Sequence, residues 1–431
     1  MRRIGRHRRK KINKIVVLSA FCLLFVITAG YAAFSTNISL HVKGNILEGT
    51  RVIQKWDENS QTDFHSDFYK QNIVSITFLN NNNVPENAVE SWNVSEDKEK
   101  GTVKAWVVPS SEDTSKYDLY IGAKGKVIAN ENSGYVFYDF RGVKEINFDN
   151  NFDTSNAVDM TQMFRLCTSL EAIDLSSLDT SKVTDMTGLF NMWDSNIEDY
   201  SFNKLLSITF GGLFNTSEVT NMKEMFAGLT DLKELDVSGF NTSNVTTMYH
   251  MFDGCMSLKQ LDVSNFDTSS VTNMEMMFQN CRTLTELNLS NFDTTNVTNM
   301  RGMFGMWYKS EELSEANLIK IDISNFNTAK VTDMSDMFTY NTNLLEIKGL
   351  ENFDTSNVTT MYHMFMQCDS LVQLNLCSFD TRKVVNMDSM FNNTNNLKKI
   401  FVGSNWSISQ ANTNGMFYNS GVSSVTTGQC G

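Results

Sequence analysis

Phenylalanine recurs at positions 164, 190, 226, 252, 278, 304, 338, 365, 391 and 417. Seven of the nine intervals are 26 or 27 residues, and the other two are 36 and 34. Nearly the same phrase surrounds each one, as in Leu284 to Phe304, LTELNLSNFDTTNVTNMRGMF. A period of this length is the signature of units that bury their apolar face only against their neighbours. The expected fold is an α/β repeat solenoid, a leucine-rich-repeat-like right-handed stack of short strand plus short helix coils. Such a chain offers a long repetitive surface and no catalytic crevice, so binding is the first functional expectation.

The unit from Leu258 illustrates the reading. Leu261 and Val263 alternate with polar neighbours, the period of a half-buried strand. Val271, Met274, Met277, Phe278 and Cys281 then recur every three or four residues, which predicts one face of a short helix. A turn separates the two, where Thr recurs at positions 154, 180, 216, 242, 268, 294, 328, 355 and 381, always after Asp or Asn. Those side chains suit turn backbone groups that a regular ladder leaves unpaired. The Met column (Met160, Met186, Met222, Met248, Met274, Met300, Met334, Met361, Met387) reads as core filler. Pro85 and Pro109, the two prolines, both precede the array.

Residues 34–142 read as a β-rich N-terminal capping region. NIVSITFL and GTVKAWVV are expected strands, and YDLYIGAKGKVIA suggests a hairpin around Gly125. The array is assigned to residues 143–417, about ten coils, and residues 418–431 to a C-terminal tail. Residues 1–33 carry eight Lys or Arg in the first 14, then an apolar run from Ile15 to Ala29 and small residues. This pattern is an export signal cleaved near Ala32, or an N-terminal membrane anchor. Either places the rest outside the cell or on its surface, with membrane contact only through that segment.

The two long intervals follow a Phe and open alike, with Trp193 and Trp307, 114 residues apart. His250 and His363 are 113 apart, as are Cys255 and Cys368. This spacing implies a four-coil block copied once, with the two Trp insertions as equivalent protrusions. His250 and His363 are expected on exposed helix positions. Cys167, Cys255, Cys281 and Cys368 share a column and read as buried, with a Cys255–Cys281 disulfide open to them in an oxidising compartment. Cys377 and Cys430 fit no column.

Net charge is −13 despite the basic start. So acidic a body disfavours nucleic acid and suits a basic partner. No Ser–His–Asp arrangement, glycine-rich phosphate loop or metal-ligand spacing is read, so neither an enzyme, a metal site nor a cofactor is expected. The outward strand positions carry Glu234, Asp236, Asp262, Glu286 and Asp322. Together with Trp193 and Trp307 these are the candidate binding residues. They would form an acidic strip for a basic segment of a protein ligand. The competing reading is that the acids only solubilise a sheet face.

The phrase FDTSxVTNMxxMFxxCxSLxxLDLS resembles the BspA-type leucine-rich repeat, also known as an uncharacterised repeat family of mycoplasmas and low-GC Gram-positive bacteria. The resemblance implies a bacterial surface or secreted protein acting in adhesion or protein binding, with a host or bacterial surface protein as partner. A structural surface spacer without a specific ligand is the alternative.

Overall fold

A computed structural model describes residues 50–57, 62–194, 203–307, 316–428 and 430. The export or anchor segment lies outside these residues, as do most of the two insertions. The chain enters through α1 (Asp67–Asn72), capped by the Ser66 hydroxyl. It continues through β1 (Ile73–Leu79), β2 (Glu90–Asn93), β3 (Lys104–Pro109), β4 (Tyr117–Gly122) and β5 (Val127–Ile128). β6 (Glu145–Asn147), β7 (Phe152–Asp153), β8 (Ala172–Asp174) and β9 (Ser207–Thr209) begin the repeats. β10 (Lys320–Asp322), β11 (Glu346–Lys348), β12 (Gln373–Leu376), β13 (Lys399–Val402) and β14 (Thr426–Thr427) follow.

The N-terminal region is a five-stranded sheet in the order β2-β3-β4-β1-β6. β1 lies parallel to both β4 and β6, so the first strand of the repeats completes this sheet. The hairpin expected around Gly125 does not form between β4 and β5. β4 instead pairs antiparallel with β3, and β5 pairs with β7.

The expected solenoid of strand-plus-helix coils is overturned. Among the described residues the one α-helix is α1, six residues long and ahead of the repeats, and the strands fall into five small sheets. The backbone around each Phe explains why no helix forms there. Two residues, two before and two after the Phe, take left-handed conformations in most units: Met276 (φ 54°) and Asn280 (φ 56°) around Phe278, His363 (58°) and Gln367 (56°) around Phe365. A right-handed helix cannot pass through such residues.

The hydrogen bonds show what replaces it. N–H groups of Met277, Gln279 and Cys281 donate three residues back, to Met274, Met276 and Phe278. The intervening N–H groups, on Met274, Met276, Phe278 and Asn280, donate to Asn299, Arg301, Met303 and Gly305 of the following unit at 2.8–3.1 Å. A helix would spend every donor inside its own segment. Here every second donor ties one unit to the next. The apolar spacing of three or four residues therefore came from successive tight turns, which share that spacing with a helix face.

Single parallel bridges run along the array from Asn132 through Asp159, Asp185 and Asn221 to Asn412. Beside them the Phe rings form one column from Phe137 to Phe417, with neighbouring centroids 5.3–6.1 Å apart and planes within 15°. Phe137 heads this column and was not legible as a repeat position. The Thr column is buried and links units: the Thr216 hydroxyl donates to Asn241 O (2.9 Å) and accepts from Asn241 N (2.8 Å). The preceding Asp or Asn caps its own turn, as Asp267 does for Ser269 N at 3.0 Å.

At the C-terminus β14 adds to β13, and a disulfide joins Cys430 to Cys377. Cys255 and Cys281 are free and buried instead of bonded to one another. Each thiol of that column donates to the carbonyl of a Phe in the preceding unit, at 3.0–3.3 Å. Burial pushes the Cys167 thiol up to about 12, and the other three rise for the same reason.

Thr216→Val keeps the shape but strips both part-buried bonds to Asn241. Chemical denaturation is expected to show a loss of about 1–3 kcal/mol. The four buried thiols are expected to resist N-ethylmaleimide in the folded protein and to label once it is unfolded.

Candidate binding faces

Two faces of the array have the shape of a binding surface. The first is the row of strands. β8, β10 and β12 point their first and third residues outward and bury the second. Between β9 and β10 the row opens. The segments Glu234–Val237, Gln260–Val263 and Glu286–Leu289 exchange no backbone hydrogen bonds with one another. Hollows of about 560 and about 590 Å³ lie along this stretch. The first is lined by Glu234, Asp236 and Asp262, the second by Asp262, Glu286 and Asp322. The five acidic residues read from the sequence therefore share one surface.

Their electrostatics are less open than an acidic strip implies. Asp236 and Asp262 each accept from the N–H of the serine two residues on, both at 3.0 Å. In each case the side chain of that serine first, and then its N–H, holds the carboxyl below the ordinary range. Asp322 accepts from Lys348 at 2.6 Å as well as from Ser324, and is lowered to about 2. Lys320 pairs with Glu346 at 2.9 Å. Asp236, Asp262 and Asp322 thus cap turns, and Asp322 also pairs across units.

Beside this charged row runs a feature the sequence reading missed. Ile319, Leu345 and Val372 occupy equivalent positions in successive units and are about half exposed. Leu345 N donates to Ile319 O at 2.8 Å, which sets the two side by side. The signal was present: this column holds Leu206, Lys233 and Lys259 in earlier units and is apolar in three successive units only here.

The second face is the edge formed by the left-handed turns. A groove of about 430 Å³ runs along it, with Trp193 near one end and Trp307 at the other. The two tryptophans have similar settings. Trp193 N donates to Asn191 Oδ1 (2.8 Å) and its carbonyl accepts from Arg165. Trp307 N donates to Asn280 Oδ1 (2.7 Å) and its carbonyl accepts from Arg282. This likeness agrees with a duplicated block. His250, expected as an exposed helix residue, sits half-buried in the groove wall on a left-handed turn. His363 occupies the same turn position farther along and faces the buried Asp336 at 3.4 Å.

A family model described as "Mycoplasma protein of unknown function, DUF285" matches residues 136–210, 197–316 and 306–427, a continuous stretch covering well over half of the chain. No curated protein matches the sequence.

Asp322 has an ordinary carboxyl value of 3.8 and a folded value of about 2. Its contribution to stability is present above pH 4 and fades as pH falls toward 2. Lys348→Ala is expected to move its titration upward in a carboxyl NMR titration.

Proposed function

From the premise that the chain belongs to the DUF285 family of mycoplasma proteins of unknown function, we propose that it is an exported surface protein that binds another protein through its strand face. The observation that carries this reading is the run of carboxylates lining the hollows along segments 234–237, 260–263 and 286–289, which exchange no backbone hydrogen bonds, followed in the next units by the exposed apolar row Ile319, Leu345 and Val372. An apolar row rimmed by charge is the usual anatomy of a protein contact. Unpaired strand segments can also accept an extended segment of a partner. A ligand with a basic stretch would complement Glu234, Asp236, Asp262 and Glu286. The resemblance of the repeat phrase to BspA-type surface proteins lends support to the same reading.

Export is supported by the basic-then-apolar start and by the Cys377–Cys430 disulfide, a bond at home in oxidising compartments. No helix among the described residues is long and apolar enough to cross a membrane. In this reading any membrane contact is left to the N-terminal segment. A spacer role is favoured by one observation: Asp236 and Asp262 already serve their own turns.

The discriminating experiment measures binding of the mature chain to extracellular matrix and bacterial surface proteins. Asp236→Lys with Asp262→Lys, and separately Leu345→Glu, are each expected to weaken a saturable interaction by about tenfold or more. Unchanged binding in both, with intact thermal unfolding, would leave the strand face as a solvated surface.

A further inference from the structure

The last unit of the array lacks, on its turn side, the partner that every interior unit has. At each junction four N–H groups donate forward to carbonyls of the following unit. The first set is on Ser133, Tyr135, Phe137 and Asp139. The final set is on Met387, Ser389, Phe391 and Asn393, which donate to Asn412, Asn414, Met416 and Tyr418 at 2.8–3.0 Å. The equivalent N–H groups of the last unit belong to Thr413, Gly415, Phe417 and Asn419. None of the four has a hydrogen-bond partner among the described residues. β14 and the Cys377–Cys430 disulfide lie on the strand side of this unit and leave the row uncovered.

The carbonyls of the same stretch are all used. Those of 412, 414, 416 and 418 accept from the preceding unit, and those of Thr413, Gly415 and Phe417 accept from Met416, Tyr418 and Ser420. The row therefore presents donors alone, whereas an ordinary strand edge presents N–H and C=O together. Gly415 (φ 59°) and Asn419 (φ 51°) keep the left-handed turns of the interior. Successive N–H groups in such turns form concavities that favour anions. The forward bonds of all the junctions point the same way, so their dipoles add as in a helix, with the positive end at this row. Composition agrees. No Asp or Glu follows Asp388 in a chain that holds 49 of them, and the only charges after it are Lys398 and Lys399. Asp388 itself is held by Ser389 Oγ at 2.7 Å and Asn412 Nδ2 at 3.3 Å.

We propose that this row is a docking site for an acidic polypeptide segment, whose carboxylates accept from Thr413, Gly415, Phe417 and Asn419. A carboxylate takes two such donors, and the bonds are charge-assisted. The donors are spaced two residues apart along the chain, which suits successive acidic side chains of one segment. Half-buried Phe417 and exposed Tyr418 offer apolar contact to the residues between them. Contacts between copies of this chain's array ends do not complete the row. Tail to tail, donors would face donors. Head to tail, the acceptor end is already covered, with Val136 O taken by His65 and Tyr135 stacked on Trp56. This surface is separate from the strand face and takes the opposite charge, so the two proposals stand or fall independently.

The test titrates the mature chain with hexaglutamate, with hexaglutamine and with inorganic tripolyphosphate. The expected result is saturable binding of hexaglutamate that weakens as salt rises. Amide exchange followed by NMR is expected to slow at Thr413, Gly415, Phe417 and Asn419 when the peptide is added. Tyr418→Glu sets a negative charge beside the row and is expected to weaken binding about tenfold, whereas Tyr418→Gln stays within about twofold. The exchange measurement on the unsubstituted chain decides the matter should either variant fail to fold. No saturable binding, equal binding of hexaglutamine, tighter binding of tripolyphosphate, or undiminished binding by Tyr418→Glu would overturn the proposal. Slow exchange at all four amides before any peptide is added would do the same, because the row would then be covered already.

Discussion

Every second backbone N–H around the phenylalanines is spent on the neighbouring unit, and the rest of the structure depends on that division. Half the donors close tight turns and half cross to the next unit. Neither set suffices alone, because turns without cross-links would be isolated loops and cross-links without turns would be a flat sheet. The left-handed residues on either side of each Phe permit this alternation, and they cost strain that only a well-determined surrounding offsets. The buried Thr column and the stacked rings supply that surrounding. Thr216 bonds both backbone groups of Asn241, while the ring column removes about ten Phe side chains from water.

This arrangement leaves two long surfaces with unlike properties. On the strand side the side chains alternate strictly, so charge accumulates outward, and pairs such as Lys348 with Asp322 form across units. On the turn side lies a groove whose lining includes Trp193 and Trp307. One repeated phrase thus generates a charged face and an aromatic one, because the two faces take their residues from different columns of the same unit.

The period, the stacked Phe positions and the burial of Met and Cys were readable from the spacing of residues, whereas the burial of the Thr column was not. Helix was not excluded by that spacing, since Val271, Met274, Met277 and Cys281 satisfy a three-residue turn and a helix face equally. The decisive cue was weaker. The left-handed positions hold Gly188, Gly302 and Gly415 in some units, but Gln162, Met276 or His363 in others, which hides the pattern. The acidic residues were legible as outward-facing. Their work as turn caps was less so, because Asp236 and Ser238 look like any polar pair until the backbone is placed. The groove could not be read at all, since it assembles residues from several units and depends on which way each turn bends.

The Cys430 bond and β14 close the strand side of one end of the array, and the five-stranded sheet closes the other. The array is thus bounded at both described ends, while each interior unit meets donors and acceptors like those of its neighbours. A segment copied within the array would find the same partners, and the 113- or 114-residue spacing of Trp193 with Trp307, His250 with His363 and Cys255 with Cys368 is what such internal copying would leave behind.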